Sequence, residues 1–539
     1  MNYINLINVN LLDEKIVFEF LYKAKKIGDD IQIFLENEKV DLFYAKITKA
    51  PNPVVYTYFD QEEVEIAKAV IEMDLGTLGT FEIKVNDGEN SYKLQILNNQ
   101  NMEIASKENP YVIFSRKYKI DIRNTEIKIS KKKLLSKLAY EIKKQKYSLK
   151  KYHKLAKYRF CKGRRRNYLF NDRIMYGDDN AEELFKYVNE KKEKIAKRSY
   201  FVLDKNSKAK QRISCLGKVV EYGSNKHKKL FMNCKMVISS HSSFLDKVFN
   251  PFTDEEMDVY RDLINKKFVF IQHGIIMNDV RIYSNRCLTT ADLFITSANK
   301  EFEYLKSPDY MYEEGQVINT GLPRYDRLID KEEKIILVSP TWRNYCADFS
   351  LDKLESTEYY KKYTSFLKND ELDLMLEKYG YTLKFLLHPV FQDRIDMFKK
   401  FETDNIKIVS SADNRYSDLF CECSMLITDY SSIHFDVATM QKPIIYYQFD
   451  KKFFFGNHYG AGYFSYDNDG FGPVVETEEK LINYLRYLVE RNCKCEEVYL
   501  RRIKDTFSFL DHDNCKRVME YINKLDKDKS KDYRFNLNH

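Results

Sequence analysis

Leu426-Ile-Thr-Asp-Tyr-Ser-Ser-Ile-His-Phe-Asp-Val-Ala438 is the stretch that decides the fold of the carboxyl-terminal half. Its apolar run, which ends at Thr428, predicts a buried strand; the polar residues 429–432 predict a tight turn, and a predicted helix follows. The first backbone N–H groups of a helix have no partner within the helix, and here the hydroxyls of Ser431 and Ser432 flank them. Strand, turn and helix N-terminus in this order predict a site for a phosphate group.

Two more predicted strands end in a histidine. Ile271-Gln-His-Gly274 closes one apolar run, and Leu386-Leu-His-Pro389 closes another. Gly274 permits a sharp turn that would leave the His273 imidazole facing a cleft, where a pKa near neutrality suits proton abstraction from an alcohol. In its protonated form His388 would suit contact with phosphate or assistance to a leaving group. For each histidine, a purely structural role is the alternative.

Two charged residues beside these strand ends complete the predicted phosphate site. Arg343, in Pro340-Thr-Trp-Arg343, follows a predicted strand and would place a guanidinium where it can bind phosphate oxygens bidentately. Asp429 cannot favour phosphate directly, so its expected role is to cap the helix, orient a histidine or hold a metal. The alternatives are a surface ion pair for Arg343 and an ordinary helix cap for Asp429. Trp342 is the single tryptophan of the chain. For this residue, a role in packing is the alternative to a role in the site.

Hydrophobic periodicity divides the chain into five segments. Residues 1–128 contain short alternating stretches separated by turn signals, which predict a β-sandwich-like accessory domain. Residues 129–166 predict a basic helical linker. Strands and helices then alternate in two α/β units, 167–328 and 329–525, and a polar tail, 526–539, follows. The predicted fold class is therefore α/β, with two doubly wound domains that bind ligand in the cleft between their carboxyl strand ends.

The linker carries most of the excess positive charge. From Lys131 to Arg166 there are 16 Lys and Arg residues against a single acid, Glu141, whereas the whole chain has a net charge of +8. Leucines and tyrosines are interleaved with the lysines. We expect this segment to adsorb to an anionic membrane surface, where each basic residue adds about 1 kcal/mol. A solvated linker helix is the alternative; nucleic acid is not the expected partner, because no recognition motif accompanies the charge.

Composition and missing motifs exclude several classes of protein. A chain of 539 residues is too long for one core, and its 17 glycines and 10 prolines are too few for a fibrous protein. There is no apolar run of 18 residues and no basic-then-apolar start, so we expect neither a membrane-spanning helix nor a secretion signal. The ten scattered cysteines suggest reduced, cytosolic thiols. No P-loop or G-x-G-x-x-G motif is present, and no convincing metal ligands appear, although Mg²⁺ stays open as a cofactor.

The ordered set of motifs resembles the CDP-glycerol glycerophosphotransferase family, which includes the teichoic-acid primases and polymerases. The resemblance covers roughly residues 165 to 525. Its pieces are Asp172-Arg173 with Asp178-Asp-Asn-Ala-Glu-Glu-Leu-Phe185, Gln272-His-Gly274, Thr320-Gly-Leu-Pro-Arg324, Pro340-Thr-Trp-Arg343, Leu387-His-Pro389, Thr428-Asp-Tyr-Ser-Ser432, Gln441-Lys-Pro-Ile-Ile-Tyr-Tyr-Gln-Phe-Asp450, Gly470-Phe-Gly-Pro473 and Phe509-Leu-Asp-His-Asp513.

The resemblance implies a GT-B-like fold and transfer of an alditol phosphate from a CDP-alditol donor to a hydroxyl of a lipid-linked or polymer acceptor, with release of CMP. It makes His273 the candidate base and places His388 at the donor phosphate. Asp429, Ser431 and Ser432 would line the donor site, with Arg343 nearby. The family works on the cytoplasmic face of the cell membrane, in wall or capsular polymer synthesis, which suits the basic linker.

One departure from the family pattern lies beside the expected base. Many members continue this histidine as His-Gly-Thr-Pro-Leu-Lys, whereas this chain reads His273-Gly-Ile-Ile-Met-Asn-Asp279. The acceptor, the alditol and the oligomeric state therefore stay open. A nucleotide-sugar glycosyltransferase on the same frame is the alternative enzyme, and a membrane scaffold that uses the basic linker is the non-catalytic alternative.

Overall fold

The computed structural model describes residues 3–12, 15–37, 42–55, 63–87, 91–97, 111–115, 117–123, 125–152, 157–160, 165–242, 250–343, 346, 349–388, 391, 394–411, 413–457, 462–528 and 534–536. Every statement below concerns these residues. They form three folded units joined by the basic segment.

The amino-terminal unit is the predicted β-sandwich. Its strands are β1 (Tyr3–Leu11), β2 (Lys15–Ala24), β3 (Gln32–Asn37), β4 (Leu42–Tyr44), β5 (Lys46–Lys49), β6 (Val54–Val55), β7 (Glu63–Asp74), β8 (Gly79–Asn86), β9 (Ser91–Lys93), β10 (Ile96–Leu97), β11 (Tyr111–Phe114), β12 (Tyr118–Arg123) and β13 (Glu126–Lys131). One sheet has the order β10-β1-β2-β7-β5 and the other β11-β12-β13-β8-β3-β4. Alternate side chains such as Phe18, Phe20 and Phe81 are buried between the sheets, as the period-2 pattern predicts.

The basic segment begins later than predicted and is partly packed. β13 runs through the expected boundary at 128 because its alternating isoleucines, Ile127 and Ile129, complete the sandwich core. The helices are α1 (Ser136–Tyr152) and α2 (Lys157–Phe160). Arg159 donates to both carboxylate oxygens of Asp262, at 2.8 and 2.9 Å, so this arginine is buried in the fold and cannot belong to an adsorbing surface.

The first α/β domain has one parallel sheet. Its strands are β14 (Asn167–Asn171), β15 (Ser199–Leu203), β16 (Val219–Glu221), β17 (Cys234–Ser239), β18 (Lys267–Phe270), β19 (Leu293–Thr296) and β20 (Val317–Asn319), and its helices are α3 (Asn180–Glu190), α4 (Lys210–Leu216), α5 (Asn225–Met232), α6 (Asp254–Tyr260), α7 (Arg281–Ser284), α8 (Arg286–Thr289) and α9 (Asn299–Leu305). The strand order is β16-β15-β14-β17-β18-β19-β20, so β14, β17 and β18 are neighbours.

The second α/β domain repeats this architecture. Its strands are β21 (Ile335–Val338), β22 (Thr382–Leu387), β23 (Ile406–Ser410), β24 (Cys423–Thr428), β25 (Ile444–Tyr447) and β26 (Val474–Val475), and its helices are α10 (Leu351–Ser356), α11 (Glu358–Leu367), α12 (Asp370–Tyr379), α13 (Asp396–Lys399), α14 (Tyr416–Glu422), α15 (Ile433–Thr439), α16 (Lys451–Asn457), α17 (Tyr466–Asp469), α18 (Glu478–Val489), α19 (Glu497–Thr506) and α20 (Asn514–Lys527). The parallel order β23-β22-β21-β24-β25-β26 confirms the predicted α/β class.

The chain does not end in a plain polar tail. Helix α20 continues past the predicted boundary at 525 and packs on the first α/β domain, where Tyr168 donates to Asp526 at 2.7 Å and Lys267 donates to the Leu525 carbonyl at 2.7 Å. Residues 534–536 then form β27 (Arg534–Asn536), which pairs with β1. The carboxyl terminus therefore ties all three folded units together.

Candidate active site

A cleft of about 1170 Å³ lies between the two α/β domains. The first domain lines it with the loops that follow β14, β17 and β18, and the second with those that follow β21, β22, β23 and β24. Parallel strands bring their carboxyl ends to one edge of a sheet, and the two edges face each other here. Of the six site residues predicted at these strand ends, four line the cleft: His273, His388, Ser431 and Ser432.

His273 stands on a strained turn that its neighbours hold in place. Gln272 adopts a left-handed backbone conformation, with φ of 41°, which is costly for a residue other than glycine. Its side-chain amide donates to the Ile295 carbonyl at 2.8 Å and to Glu301 at 3.0 Å, and its own carbonyl accepts from Asn180 at 2.7 Å. These buried hydrogen bonds direct the exposed imidazole of His273 into the cleft.

A second histidine, His241, lies flat against His273. The two rings are 5.3 Å apart between centroids and inclined by 9°. Desolvation in the cleft, and then the His241 ring, lower the pKa of His273 to about 4. The imidazole is thus neutral at pH 7 and able to accept a proton. His241 sits in a serine-rich stretch without a strand-end glycine, so the sequence pattern did not single it out.

The serine turn of the second domain comes close to this histidine. A Cβ built on Gly274 would lie 3.0 Å from the Ser432 hydroxyl oxygen, so a larger residue would require the serine to move by a few tenths of an ångström. Ser431 and Ser432 are half-buried and line the cleft. In the part of the chain that the structure describes, no hydrogen bond uses the backbone N–H of either serine. Ser431 and Ser432 therefore line the same cleft as His273, and Ser432 lies beside the histidine turn.

Arg343 and Asp429 lie behind the cleft wall rather than in the cleft. Arg343 is 1% exposed and donates to Asp450 at 2.7 and 3.1 Å, and its Nη1 lies 2.9 Å from Asp429. Asp429 accepts from the backbone N–H groups of Thr341 and Tyr430. The direct phosphate contact expected of Arg343 is therefore wrong. Two buried carboxylates hold its guanidinium, and the group instead fixes the loops that carry Thr341 and the serines.

His388 and Trp342 form a stacked pair in the cleft wall, in the same domain as the serine turn. Their rings stack at 5.8 Å between centroids and 20° between planes, and both side chains line the cleft. His388 directly follows β22, and Trp342 lies in the loop after the neighbouring strand β21. Pro389, which was expected to end the second strand, lies outside the described residues. The stacked pair offers an aromatic face and a titratable imidazole to a ligand that occupies the serine turn.

Ion pairs close one side of the cleft. Arg324 donates to Asp436 of α15 at 2.6 and 2.8 Å, to Asp179 of the first domain at 2.7 Å, and to the His273 carbonyl at 2.5 Å. Asp178 pairs with Arg415 across the cleft at 2.7 Å. Sequence reasoning placed Arg324 and Asp178 only within motifs, because their partners are more than 100 residues away and no local signal indicates them.

Among the described residues, no group of three or more His, Cys, Asp or Glu side chains is arranged to hold a metal ion. The closely spaced acids of two other segments are engaged in ion pairs: Asp467 and Asp469 pair with Lys451 and Lys300, and Asp511 pairs with Arg517. Metal ions in a phosphoryl-transfer site are commonly bound through one or two carboxylates and the substrate phosphates.

Comparisons with known proteins show the family to which this fold belongs. A family model described as CDP-glycerol:poly(glycerophosphate) glycerophosphotransferase matches residues 166–524. The minor teichoic acid biosynthesis protein GgaB of Bacillus subtilis is 35% identical over 375 residues, which cover 67% of this chain and 40% of that protein. A teichoic acid poly(glycerol phosphate) polymerase of Bacillus spizizenii is 27% identical over 272 residues, covering 49% of this chain and 56% of the polymerase. The chain thus spans less than two thirds of either relative.

Solved structures share the fold. A variant of the wall teichoic acid polymerase TagF superposes with a TM-score of 0.54 at 17% identity, covering 72% of this chain and 98% of that chain. The same variant soaked with CDPG gives 0.53 at 16% identity. The predicted GT-B-like arrangement of two α/β domains is therefore confirmed.

Proposed function

Because the chain belongs to the CDP-glycerol:poly(glycerophosphate) glycerophosphotransferase family, we propose that it transfers an alditol phosphate from a CDP-alditol donor to a hydroxyl of a lipid-linked or polymer acceptor in wall or capsular polymer synthesis. The observation that carries the proposal is the close approach of the Gly274 turn to Ser432. It sets a neutral imidazole opposite a cradle of hydroxyl and backbone N–H donors, as an in-line displacement at phosphorus requires.

In the proposed reaction the acceptor hydroxyl attacks the β-phosphorus of the CDP-alditol. A bond forms between the acceptor oxygen and this phosphorus, and the bond to the bridging oxygen of the diphosphate breaks. The hydroxyl proton passes to His273, and CMP leaves with the bridging oxygen. The lowered pKa of His273 keeps the imidazole unprotonated and ready to accept.

The second domain would stabilise the negative charge on the phosphates. Ser431 and Ser432 line the cleft, and among the described residues no hydrogen bond uses their backbone N–H groups, so hydroxyl and N–H donors would be available to the donor phosphates. His388 and Trp342 extend this wall, and a protonated His388 would assist the departure of CMP. Asp429 and Arg343 act one layer behind, by holding the loops.

Mg²⁺ stays an open part of the proposal. An ion bound mainly through the donor phosphates needs few protein ligands. Titration of CMP release with EDTA, followed by addition of Mg²⁺, measures whether the reaction uses the ion.

The donor and the reaction class can be tested together. Purified protein is offered CDP-glycerol, CDP-ribitol and UDP-glucose with a membrane-lipid extract as acceptor, and the released nucleotide is identified. We expect CMP from one CDP-alditol and its loss in His273→Ala, with an unchanged melting temperature. Release of UDP alone, from the sugar nucleotide, would instead assign the protein to the nucleotide-sugar glycosyltransferases and contradict the proposal.

We further propose that the enzyme docks on the inner face of the cell membrane through α1 and the residues that lead into it from Lys131. Leu134 is 96% exposed, and Leu135, Leu138 and Ile142 are exposed on the same segment. Five lysines beside them are also exposed, namely Lys131, Lys133, Lys137, Lys143 and Lys146. Exposed apolar side chains flanked by lysines suit insertion at an anionic lipid surface. No described helix is long and apolar enough to cross a membrane.

Vesicle sedimentation tests this docking. The protein should sediment with phosphatidylglycerol vesicles and not with phosphatidylcholine vesicles, and binding should weaken as salt rises. The double variant Leu134→Asp/Leu138→Asp should lose binding, whereas Leu351→Asp, at an exposed leucine elsewhere, should retain it. Equal binding by both variants would contradict the assignment of α1.

A further inference from the structure

Arg173 opens the loop that follows β14, and its backbone is firmly held. The preceding residue, Asp172, is fully buried and accepts from the backbone N–H groups of Asp179, Ala181 and Glu182 at 3.2, 2.9 and 2.9 Å. The Arg173 carbonyl itself closes a turn by accepting from residues 176 and 177. The side chain is exposed and lines the cleft, so its guanidinium reaches the cleft from a fixed backbone position.

The other arginines that line the cleft are bound to carboxylates. Arg212 contacts Glu182, Arg324 contacts Asp436 and Asp179, Arg327 contacts Asp178, and Arg415 contacts Asp178. For Arg173, in contrast, the described residues supply no carboxylate within ion-pair distance and no side-chain hydrogen bond. Its charge is therefore available to an anion in the cleft, whereas the charges of the other arginines are already balanced.

Arg173 also lies close to the proposed reacting atoms. β14, β17 and β18 are neighbours in the sheet, and Arg173, His241 and His273 follow them in that order along one edge. Burial and the His241 ring make the largest contributions that lower the pKa of His273, and the positive charge of Arg173 lowers it further. Burial raises the pKa of Tyr416, on the opposite domain, and the positive charge of Arg173 counteracts part of that rise. The guanidinium and the proposed base thus line the same cleft between the two domains.

We propose that Arg173, rather than Arg343, is the guanidinium that binds the phosphoryl group being transferred. The inference rests on the proposed function for the identity of that group. A guanidinium can contact two phosphoryl oxygens at once and offset the negative charge on the oxygens of the transferring phosphorus. Arg173 supplies this charge from the first domain, opposite the serine cradle of the second.

The test compares Arg173→Gln and Arg173→Lys with Arg501→Gln, a control at an exposed arginine of α19 outside the cleft lining. CMP release from the CDP-alditol should fall by about 10²- to 10³-fold in Arg173→Gln, the cost of removing one preorganised donor. Arg173→Lys should recover part of the loss, and Arg501→Gln should match the wild type. Because a positive neighbour is removed, the acid limb of the rate–pH profile should move to higher pH in Arg173→Gln.

Binding of inorganic pyrophosphate, measured by calorimetry, separates this inference from the proposed function. Affinity should fall about 10-fold or more in Arg173→Gln, since a charge-assisted bond is lost. If the wild type turns over no CDP-alditol yet binds pyrophosphate through Arg173, the anion site stands and the reaction class fails. If Arg173→Gln keeps wild-type turnover and affinity, the inference is overturned. A fall in turnover with neither the affinity nor the pH limb changed would indicate a merely structural role and also overturn it.

Discussion

At the residue scale, the site depends on how each side chain is aimed, and this is what the sequence predicts least well. The strand-end positions of His273 and of the two serines could be predicted, because an apolar run followed by a polar turn marks a strand end. The direction of Arg343 could not. Its buried partner Asp450 is 107 positions away, and two long-range ion pairs turn the guanidinium inward.

The environment of His273 predicts the pH dependence of the reaction. Burial in the cleft and the stacked His241 lower its pKa below the ordinary value of about 6.5. A base with a lowered pKa stays unprotonated at lower pH, so CMP release should stay on its plateau below pH ~6.5 and fall only in more acid solution. Rates measured from about pH 4.5 to 9 check this expectation. His241→Ala should move the acid limb upward, and an unmoved limb would contradict the role given to the stacked ring.

The buried position of Arg343 predicts a loss of stability rather than of donor affinity alone. Arg343→Met would leave Asp429 and Asp450 uncompensated in the interior, at a cost of about 3–5 kcal/mol in the free energy of unfolding. Urea denaturation measures this change. Ser431→Ala, on the cleft surface, should weaken CMP binding with little change in stability. Equal stability of the two variants would show that Arg343 does not hold the wall.

At the element scale, the period-2 and α/β patterns predicted most strands, while element ends depended on tertiary contacts. β24 ends at Thr428, where the apolar run of the sequence predicted its end. β13 extended past its expected end because Ile127 and Ile129 fill the sandwich core. The approach of the β18 loop to the β24 turn joins two domains, and no local pattern contains that information.

The approach of these two loops predicts the effect of one added methyl group. In Gly274→Ala the new Cβ would lie 3.0 Å from the Ser432 hydroxyl oxygen, so the serine or the histidine turn must shift. Misplaced reacting groups lower rates steeply, and we expect CMP release to fall by about 10- to 100-fold. Gly28→Ala is the matched control, since a Cβ there meets open space. A fully active Gly274→Ala would show that the contact is not needed for transfer.

At the scale of the whole molecule, ion pairs and the returning carboxyl terminus fix the two α/β domains relative to each other. The sequence predicted two domains and a cleft from alternating strands and helices. It did not predict that α20 would pack on the first domain or that β27 would pair with β1. Both contacts join segments from opposite ends of the chain, and such pairing leaves little trace in local hydrophobic periodicity.

Breaking the link between the domains should lower both stability and activity. Asp436→Ala removes the carboxylate that binds two nitrogens of Arg324, and loss of a buried partner costs about 3 kcal/mol or more. Arg324 also supports the His273 carbonyl, so turnover should fall as well. Asp396→Ala, which removes an exposed i,i+3 pair with Lys399, should change the free energy of unfolding by less than about 0.5 kcal/mol. Matching curves for the two variants would contradict the interdomain role.

The most direct test of the central claim identifies which bond of the donor breaks. Phosphorus NMR follows wild type and His273→Ala with a CDP-alditol and acceptor. Attack at the β-phosphorus, with His273 as the base, predicts equal amounts of CMP and a new phosphodiester in the wild type and neither product in His273→Ala. Formation of CDP together with a phosphorus-free linkage to the acceptor, or undiminished phosphodiester in His273→Ala, would contradict it.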